Sequence, residues 1–530
     1  MKISHALGMG LVAILLLGLL FPHGSSAGQL TPQERRGRQI YLRGESLSGR
    51  PLSALVGDGS VEVPGGTLPC ANCHGFDGRG KPEAGVVPSD VTWQSLTTSY
   101  GVTHASGRKH PAYTTRSMER AIAAGIDPAG TPLTVAMPRY RMAAEDLADL
   151  VAYMRRLGTE QDPGLTRTSI TLGTILPATG PLAEICRVMK AVMLAYFNEI
   201  NGQGGIYNRK IQLRVAESAE TAPATRTAVE RLIEKEHPFA LVGSFMAGAE
   251  KELSSLADRE DLPLVGPFTL FPQVDFPLNR HVFYLLSGLR EQALALVEFA
   301  MQKRPGENPR VAVVLPGEAD LRRVADAIEE QAKKKGWSSV MRAEYSRGQV
   351  DVARLAKHVS QSGAEMIFFL GSGGEARGLA MEAQKLSWTP SMYLAGSLVG
   401  QEIFDAPTSF QDKLFLSYPT LPSDQTAAGI QGYGRLAANH KLSTRHLAAQ
   451  LSAYCAAQIL VEGLKRTGRD LSREKLIATL EGLYEFETGL TPPITYGPNR
   501  RIGALGAYVL GVNLAERNFV PASGWLAIEE

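Results

Sequence analysis

The chain has 530 residues, 44% hydrophobic and 20% charged, which is enough apolar material for the cores of about two to four domains. This composition excludes a largely disordered protein, and only 4 cysteines exclude a small disulfide-rich protein. The 55 Lys and Arg against 53 Asp and Glu give a net charge of +2 without a basic stripe, so no nucleic-acid partner is predicted.

Residues 1–27 have the organisation of a secretory signal peptide. Lys2 precedes an apolar run over residues 6–21, and the small residues Ser25-Ser26-Ala27 follow. The run is shorter than the ~20 apolar residues of a membrane-spanning helix, so we expect cleavage near Ala27 rather than an uncleaved anchor. No later run looks long and apolar enough to span a bilayer. The mature chain is therefore predicted to be soluble and periplasmic.

The strongest motif is Cys70-Ala71-Asn72-Cys73-His74. Two cysteines at this spacing can each add to a vinyl group of one haem, and the adjacent His74 can then ligate the iron. A zinc site would need a second ligand pair, but Cys186 and Cys455 are isolated. A thioredoxin-like motif would follow a strand, whereas these flanks are glycine-rich, and a disulfide leaves His74 unexplained. The motif predicts one covalent haem c.

Two helices are predicted to flank the motif, in TPQERRGRQIYLRG from Thr31 and in AAEDLADLVAYMRRLG, residues 143–158. With the CxxCH motif, this pattern resembles class I cytochrome c over residues 28–158. The resemblance implies that the two helices cross beside the haem, with Gly37, Tyr41 and Tyr153 at the crossing.

The second iron ligand is predicted to be Met137, on a proline-stiffened loop before the last helix, where the resemblance places the axial methionine. A thioether is a soft ligand that favours Fe(II). His104 or His110 would instead give a bis-histidine site. If His74 and Met137 both bind, no coordination position is open, which favours outer-sphere electron transfer over oxygen chemistry.

Arg79 and Arg139 are candidate partners of the haem propionates, although exposed surface arginines fit the sequence as well.

The segment TEQDPGLTRT, residues 159–168, is polar and is predicted to be a linker. Short apolar strands then alternate with amphipathic helices through residues 169–530, which predicts parallel sheets covered by helices. The alternation comes in two series, so two lobes are expected. The late helix in LAAQLSAYCAAQILVEGLKRTG is expected to return to the first lobe.

Segments ITLGTILPATGPLAE, NEINGQGGIYNRKI and FALVGSFMAGA resemble the periplasmic binding proteins of the Leu/Ile/Val type. The resemblance implies two α/β lobes that close through a hinge on a small molecule. The expected fold class is a mainly α cytochrome c domain followed by a two-lobed α/β type I periplasmic-binding-protein fold.

Ligands of such lobes lie at the carboxyl ends of strands and at helix N-termini. Four glycine-containing loops there are candidates, although each glycine is also consistent with a tight turn. The candidate ligand-binding residues are Thr179, Gly180, Ser244, Phe245, Phe268, Thr269, Ser372 and Ser397.

The loop Leu394-Ala395-Gly396-Ser397-Leu398 has no acid where the resemblance places a partner for an amino-acid ammonium group. A plain α-amino acid would lose that charge partner. Phe245, Met246 and Phe268 indicate an apolar or aromatic ligand, or a cleft that is closed over. We therefore expect a small ligand other than an amino acid, if one binds.

These features predict a periplasmic electron carrier whose second module senses a small molecule or docks a redox partner. The resemblance suggests a quinoprotein dehydrogenase or a terminal oxidase chain as partner. The alternative is a receptor of an ABC-type uptake system or sensor, with the haem as a redox gate. No independent catalytic motif is present. Cys186 and Cys455 fit either buried free thiols or a disulfide.

Overall fold

The computed structural model describes residues 30–529 apart from positions 58, 60, 81–86, 105, 106, 160, 220, 247 and 339. The chain divides into an N-terminal unit, Met1–Glu160, and a C-terminal unit, Gln161–Glu530. The predicted signal peptide lies outside the described residues.

The N-terminal unit is mainly helical. Its helices are α1 (Pro32–Arg43), α2 (Cys70–His74), α3 (Trp93–Leu96), α4 (Thr115–Ala124) and α5 (Ala144–Met154). Its short strands are β1 (Ser53–Val56), β2 (Val61–Pro64), β3 (Val102–Thr103), β4 (Lys109–His110) and β5 (Arg139–Arg141). Strand β1 lies between β2 and β5 in an antiparallel sheet, and β3 pairs with β4.

Helices α1 and α5 pack against each other at a glycine. Helix α1 begins after Thr31, whose side chain accepts from the Glu34 amide in a capping box. A Cβ on Gly37 would lie 1.9 Å from the Asp149 carbonyl oxygen, so only glycine allows this approach. The Tyr41 and Tyr153 rings meet beside it, with centroids 5.6 Å apart. The predicted helix crossing is thus present.

The C-terminal unit alternates strands with helices. Its helices are α6 (Ala183–Gly202), α7 (Ala222–Glu236), α8 (Glu250–Arg259), α9 (Leu289–Lys303), α10 (Ala319–Lys334), α11 (Val352–Gln361), α12 (Gly373–Lys385), α13 (Ala427–His440), α14 (Leu447–Thr467) and α15 (Arg473–Glu481). Its strands are β6 (Ser169–Pro177), β7 (Lys210–Ser218), β8 (Ala240–Val242), β9 (Leu264–Val265), β10 (Val282–Leu286), β11 (Val311–Pro316), β12 (Val340–Tyr345), β13 (Met366–Phe369), β14 (Ser391–Ala395), β15 (Leu414–Tyr418), β16 (Ile502–Ala504), β17 (Gly506–Asn513), β18 (Asn518–Pro521) and β19 (Leu526–Ala527).

These strands form two sheets, one in each lobe. Lobe one has a parallel sheet in the order β16-β10-β9-β8-β6-β7. Lobe two has the order β12-β11-β13-β14-β15-β17-β18, parallel up to β15 and antiparallel beyond it. The chain passes between the lobes after β10, after β15 and between β16 and β17. Three crossings of this kind form a hinge, as expected for a two-lobed binding protein.

Helix α14 is a core helix of lobe one. Its apolar side chains join those of α6 in one buried cluster, which confirms that this late helix returns to the first lobe. Among the described residues, α14 is also the helix long and apolar enough to cross a membrane, and 67% of its apolar stretch is buried inside the unit. The expectation that no later run has this length and apolarity is therefore wrong. Its apolarity serves packing against α6.

Candidate functional site

The haem-binding motif forms the short helix α2. Pro69 precedes it in an extended conformation, and Gly75 ends it with a φ of 75°. Cys70 is half-buried against the core of the unit, whereas Cys73 is exposed. Burial raises the pKa of the Cys70 thiol to about 12, so this sulfur is neutral before any covalent bond forms. Residues three apart lie on the same side of a helical turn, so both thiols face one surface.

The His74 ring is oriented by a backbone carbonyl. Its Nδ1 lies 2.9 Å from the Ser89 carbonyl oxygen, which can only accept a hydrogen bond. Nδ1 must therefore carry the proton, and Nε2 keeps its lone pair for a metal. Burial lowers the pKa of His74, although the Ser89 hydrogen bond opposes the shift. A neutral imidazole is the form that ligates iron.

Met137 packs against the same hydrophobic core as Cys70. Its amide donates to the Thr134 carbonyl at 3.1 Å, which closes a tight turn. The guanidinium of Arg139 donates to the carbonyl oxygens of Met137 and, at 2.9 Å, Leu133. The sequence suggested a propionate partner at Arg139, but the structure places its guanidinium on this loop. Arg79 is exposed.

His104 and His110 contact each other. Their Nε2 atoms are 2.9 Å apart, and Arg108 lies 2.9 Å from His104 Nε2. His110 Nδ1 lies 2.8 Å from the Pro111 carbonyl, and His104 Nδ1 is 3.2 Å from the Ser89 hydroxyl. Burial and the charge of Arg108 lower the pKa of His104. All four ring nitrogens therefore have protein partners, an arrangement that sequence reasoning did not predict.

In lobe one, candidate residues meet at the ends of β8 and β9. The Phe245 and Phe268 rings are stacked, with centroids 5.2 Å apart and planes 29° apart. Ser244 is fully buried, and its hydroxyl accepts from the Ile175 amide at 3.2 Å. Ser244 therefore holds neighbouring strands together, while the aromatic pair forms the partly exposed surface of this edge.

Glu250 was missed by sequence reasoning, although it begins the helix that follows a nominated loop. It accepts a hydrogen bond from the Thr269 hydroxyl at 2.8 Å. Burial raises the pKa of Glu250, and the hydrogen bond from Thr269 opposes the shift only in part. Thr179 and Gly180 are exposed at the end of β6, and Gly180 has a φ of 83°.

In lobe two, the nominated serines are bonded within the lobe. Ser372 caps α12 and donates to Glu375 Oε2 at 2.8 Å, and Tyr345 donates to the same oxygen at 3.0 Å. Ser397 donates to the Gln292 side-chain oxygen at 3.0 Å. Gln292 is a buried residue of α9, so its place beside Ser397 could not be deduced from local sequence.

One group of His and carboxylate side chains with metal-ligand spacing occurs in the described part of the chain: Asp261, His281 and Glu474. It lies at the amino ends of the lobe-one strands, away from the candidate cleft. Arg280 binds Glu474 at 2.8 Å, and His281 Nδ1 is 3.2 Å from Asp258. The group is therefore accounted for by its own ion pairs.

Each of the two units matches a known protein family. Residues 169–516 match the family described as periplasmic binding protein, and this match spans more than half of the chain. The chain belongs to the periplasmic binding protein family. Residues 67–158 match the family described as cytochrome c, so this binding protein also carries a cytochrome c domain.

The curated relatives are binding proteins. The Leu/Ile/Val-binding protein BraC3 of Rhizobium johnstonii is 23% identical over 336 residues, 63% of this chain and 89% of the relative. Leu/Ile/Val-binding protein homolog 3 of Brucella melitensis is 23% identical over 318 residues, 56% of this chain and 79% of the relative.

Solved structures establish the type I fold of the binding-protein unit. A branched-chain amino acid ABC transporter protein from Thermus thermophilus with bound valine has a TM-score of 0.57 at 18% identity, covering 69% of this chain and 98% of its own. A fatty acid ABC transporter substrate-binding protein from Thermomonospora curvata has a TM-score of 0.55 at 15% identity, covering 70% and 95%.

Both families are exported to the periplasm. The cytochrome c family implies a covalent haem c, and the binding-protein family implies a small-molecule ligand.

Proposed function

We propose that this binding protein is a periplasmic electron carrier with one covalent haem c, joined through Cys70 and Cys73, its iron held by His74 and Met137. One observation carries the proposal. His74 donates from Nδ1 to Ser89 and keeps Nε2 for the iron, on a helix that also bears both cysteines.

The donor set fits a c-type haem. Two thiols can form the thioether bonds, and an imidazole and a thioether supply one nitrogen and one sulfur ligand. When bound, the haem accepts and releases one electron. Ser89 orients the His74 ring, and the soft sulfur of Met137 favours Fe(II) and a higher reduction potential.

The histidine pair supports Met137 as the second ligand. His104 and His110 direct their Nε2 atoms at each other, and Arg108 faces the same nitrogen of His104. Ligation through Nε2 of either ring would break this pair, and ligation by His104 would also displace Arg108 from its nitrogen. The Met137 side chain has no competing partner among the described hydrogen bonds. With both His74 and Met137 as ligands, the iron would have no open position for oxygen. Outer-sphere electron transfer is the chemistry that fits.

The cleft supports a small apolar or aromatic ligand rather than an α-amino acid. The stacked Phe245 and Phe268 rings offer an aromatic surface on which an apolar or aromatic ligand can pack. The loop that contains Ser397 has no acid for an ammonium group. The same surface suits docking of a redox partner, such as a quinoprotein dehydrogenase or a terminal oxidase chain.

The second candidate function is a receptor for an uptake system or sensor, with a redox-gating haem. The relatedness to Leu/Ile/Val-binding proteins favours it. A thermal-shift screen separates the candidates, because a ligand that binds the folded state raises the melting temperature by mass action. A shift with an aromatic acid or alcohol supports ligand sensing, whereas no shift across the screen supports docking.

The deciding experiment is haem detection after denaturation of protein exported by a host with cytochrome c maturation. We expect covalent pigment and a reversible reduced-minus-oxidised spectrum. The Cys70→Ser/Cys73→Ser variant should lose the pigment, whereas Cys455→Ala, which removes a buried thiol of α14, should keep it. Release of all pigment from the wild type on denaturation would refute the proposal.

A further inference from the structure

The side chain of Arg139 bridges the loop that carries Met137. Its backbone is held in β5, where it pairs with Leu55 of β1. The guanidinium turns back over the preceding residues and donates to the carbonyl oxygens of Leu133 and Met137. The two acceptors are the first and last residues of the loop 133–137, so a single guanidinium is hydrogen-bonded to both ends of the loop.

The same side chain is seated on the end of α4. Gly125 ends that helix with a φ of 66° and accepts from the Leu133 amide at 2.7 Å. A Cβ at Gly125 would lie 1.6 Å from Arg139 Nε, so the absence of a side chain there makes room for the arginine. The helix end, the loop and Arg139 therefore form one connected support.

Little else holds the loop. Within it, the Met137 amide donates to Thr134 O and the Ala136 amide to Thr134 Oγ1, both at 3.1 Å. Val135 is 68% exposed, and Thr134 and Ala136 are also exposed. These bonds define the turn but do not attach it to the rest of the unit. The loop is attached to the rest of the unit at its two ends, by the Leu133 amide and side chain at one end and by the Met137 side chain and the buried Pro138 at the other, and the Arg139 guanidinium bonds to both ends.

We propose that Arg139 is a positioning residue that holds the Met137 thioether at the haem iron and thereby sets the reduction potential. This rests on the proposed function, in which Met137 is the second ligand. A methionine side chain is flexible, so the probability that its sulfur meets the iron depends on where its backbone is held. Because a thioether binds Fe(III) less well than Fe(II), a loosened loop loses the ferric ligand first and the potential falls.

Arg141 is the matched control. It lies two residues further along β5, is exposed, and pairs with Glu62 of β2 at 3.1 Å rather than with the loop. Removing it takes away the same charge from the same strand and leaves the Met137 loop intact.

The test uses the full-length, haem-loaded protein and two readouts that do not depend on electron-transfer activity. The first is the affinity of added imidazole for the ferric protein, which measures how often the second position opens. The second is the midpoint potential. Loss of the charged hydrogen bonds should raise imidazole affinity by about tenfold or more in Arg139→Ala and lower the potential. Arg141→Ala should match the wild type.

Two further variants guard against misfolding of Arg139→Ala. In Arg139→Lys a single ammonium replaces the two-armed guanidinium, so an intermediate effect is expected. Gly125→Ala leaves Arg139 in place but puts a Cβ where its side chain lies, so it should act in the direction of Arg139→Ala.

The outcomes separate this proposal from the proposed function. If Met137→Ala changes both readouts and none of the Arg139 and Gly125 variants differs from Arg141→Ala, the role of Arg139 is refuted and the haem assignment stands. If Met137→Ala changes neither readout, Met137 is not the ligand and the role of Arg139 is refuted with it. Covalent pigment in the wild type still supports an electron carrier in that case.

Discussion

The two units of this protein place their candidate chemistry in opposite ways. In the N-terminal unit both cysteines and His74, the proposed first iron ligand, lie on one short helix, residues 70–74. In the C-terminal unit the candidate residues are spread from position 179 to position 397, at strand ends of two lobes. Covalent attachment requires close spacing along the chain, whereas a cleft requires only that distant loops meet. The haem site is therefore recognisable as a sequence motif, whereas the cleft is not.

The units also differ in what they bury. Beside the predicted haem site, the N-terminal unit buries two polar pairs. One is the ion pair of Arg108 with the fully buried Asp127, and the other is the histidine pair His104–His110. The candidate cleft of the C-terminal unit presents an aromatic pair and one buried carboxyl group, Glu250. We expect the N-terminal unit to depend on its buried polar pairs and the cleft of the C-terminal unit on its aromatic pair.

The largest effect is expected for Arg108→Ala. Arg108 binds the buried Asp127 at 2.8 Å, and its removal leaves an unpaired buried carboxylate. Loss of one partner of such a pair costs about 3–5 kcal/mol. The free energy of unfolding of the N-terminal unit should fall by this order, as measured by urea unfolding followed through haem absorbance. The exposed pair at Arg141 should contribute less than about 1 kcal/mol, and equal losses for both variants would contradict the prediction.

The second comparison concerns glycines at close contacts in each unit. A Cβ on Gly37 would lie 1.9 Å from Asp149 O, and one on Gly266 would lie 2.3 Å from Ala456 Cβ. Gly37→Ala and Gly266→Ala should each destabilise their own unit by about 1–3 kcal/mol or more, because overpacking forces the neighbours apart.

Gly374→Ala is the control for these variants, since a Cβ there would meet nothing within 4 Å. Thermal unfolding read by haem absorbance reports on the N-terminal unit, and tryptophan fluorescence reports mainly on the C-terminal unit, which holds three of the four tryptophans, Trp337, Trp388 and Trp525. A loss in the wrong unit would show that the two do not unfold separately.

The third comparison is the pH dependence of stability. In the folded state, burial alone would raise the pKa of Asp127, but hydrogen bonds from Arg108 and Thr131 lower it below its usual value. The ionised Asp127 therefore contributes to the free energy of unfolding above its unfolded pKa of about 3.9, and this contribution is lost as the pH falls through the folded pKa. Asp127→Asn should therefore flatten the acid side of the stability curve of the N-terminal unit.

Glu250 should behave in the opposite sense. Burial raises the pKa of Glu250 in the folded state. Its contribution to the free energy of unfolding is therefore present below the unfolded pKa and is lost as the pH rises through the folded pKa. Glu250→Gln should flatten the curve of the C-terminal unit above about pH 4.5, with about 1.4 kcal/mol for each unit of pKa shift. Unchanged melting curves from pH 3 to 7 would contradict both assignments.

The smallest effect is expected for Phe268→Ala on binding of an aromatic ligand found by thermal shift. Loss of one stacked ring should weaken binding by about 0.5–1.5 kcal/mol, and valine should give no shift with either protein. Tyr484→Ala, which removes a 73% exposed ring of the same unit, should bind like the wild type. A clear shift with valine would show instead that the cleft takes amino acids.

The haem motif, the helix pair that meets at Gly37 and the order of the two lobes could all be predicted from the amino-acid sequence. These features depend on spacing of a few residues or on the period of a helix or strand, so neighbouring residues specify them. The identity of both families followed from the same local patterns.

The partners of the polar side chains became known only from the folded structure. Arg139 turns back onto the Met137 loop, His104 lies against His110, and Ser397 bonds to Gln292. The partners in the last pair are 105 residues apart. By its length and apolarity α14 resembles a membrane helix, and only its packing against α6 shows that it is a core helix. The Ser397–Gln292 bond and the packing of α14 on α6 join distant parts of the chain, and the two nearer contacts depend on side-chain conformations that a sequence pattern does not specify.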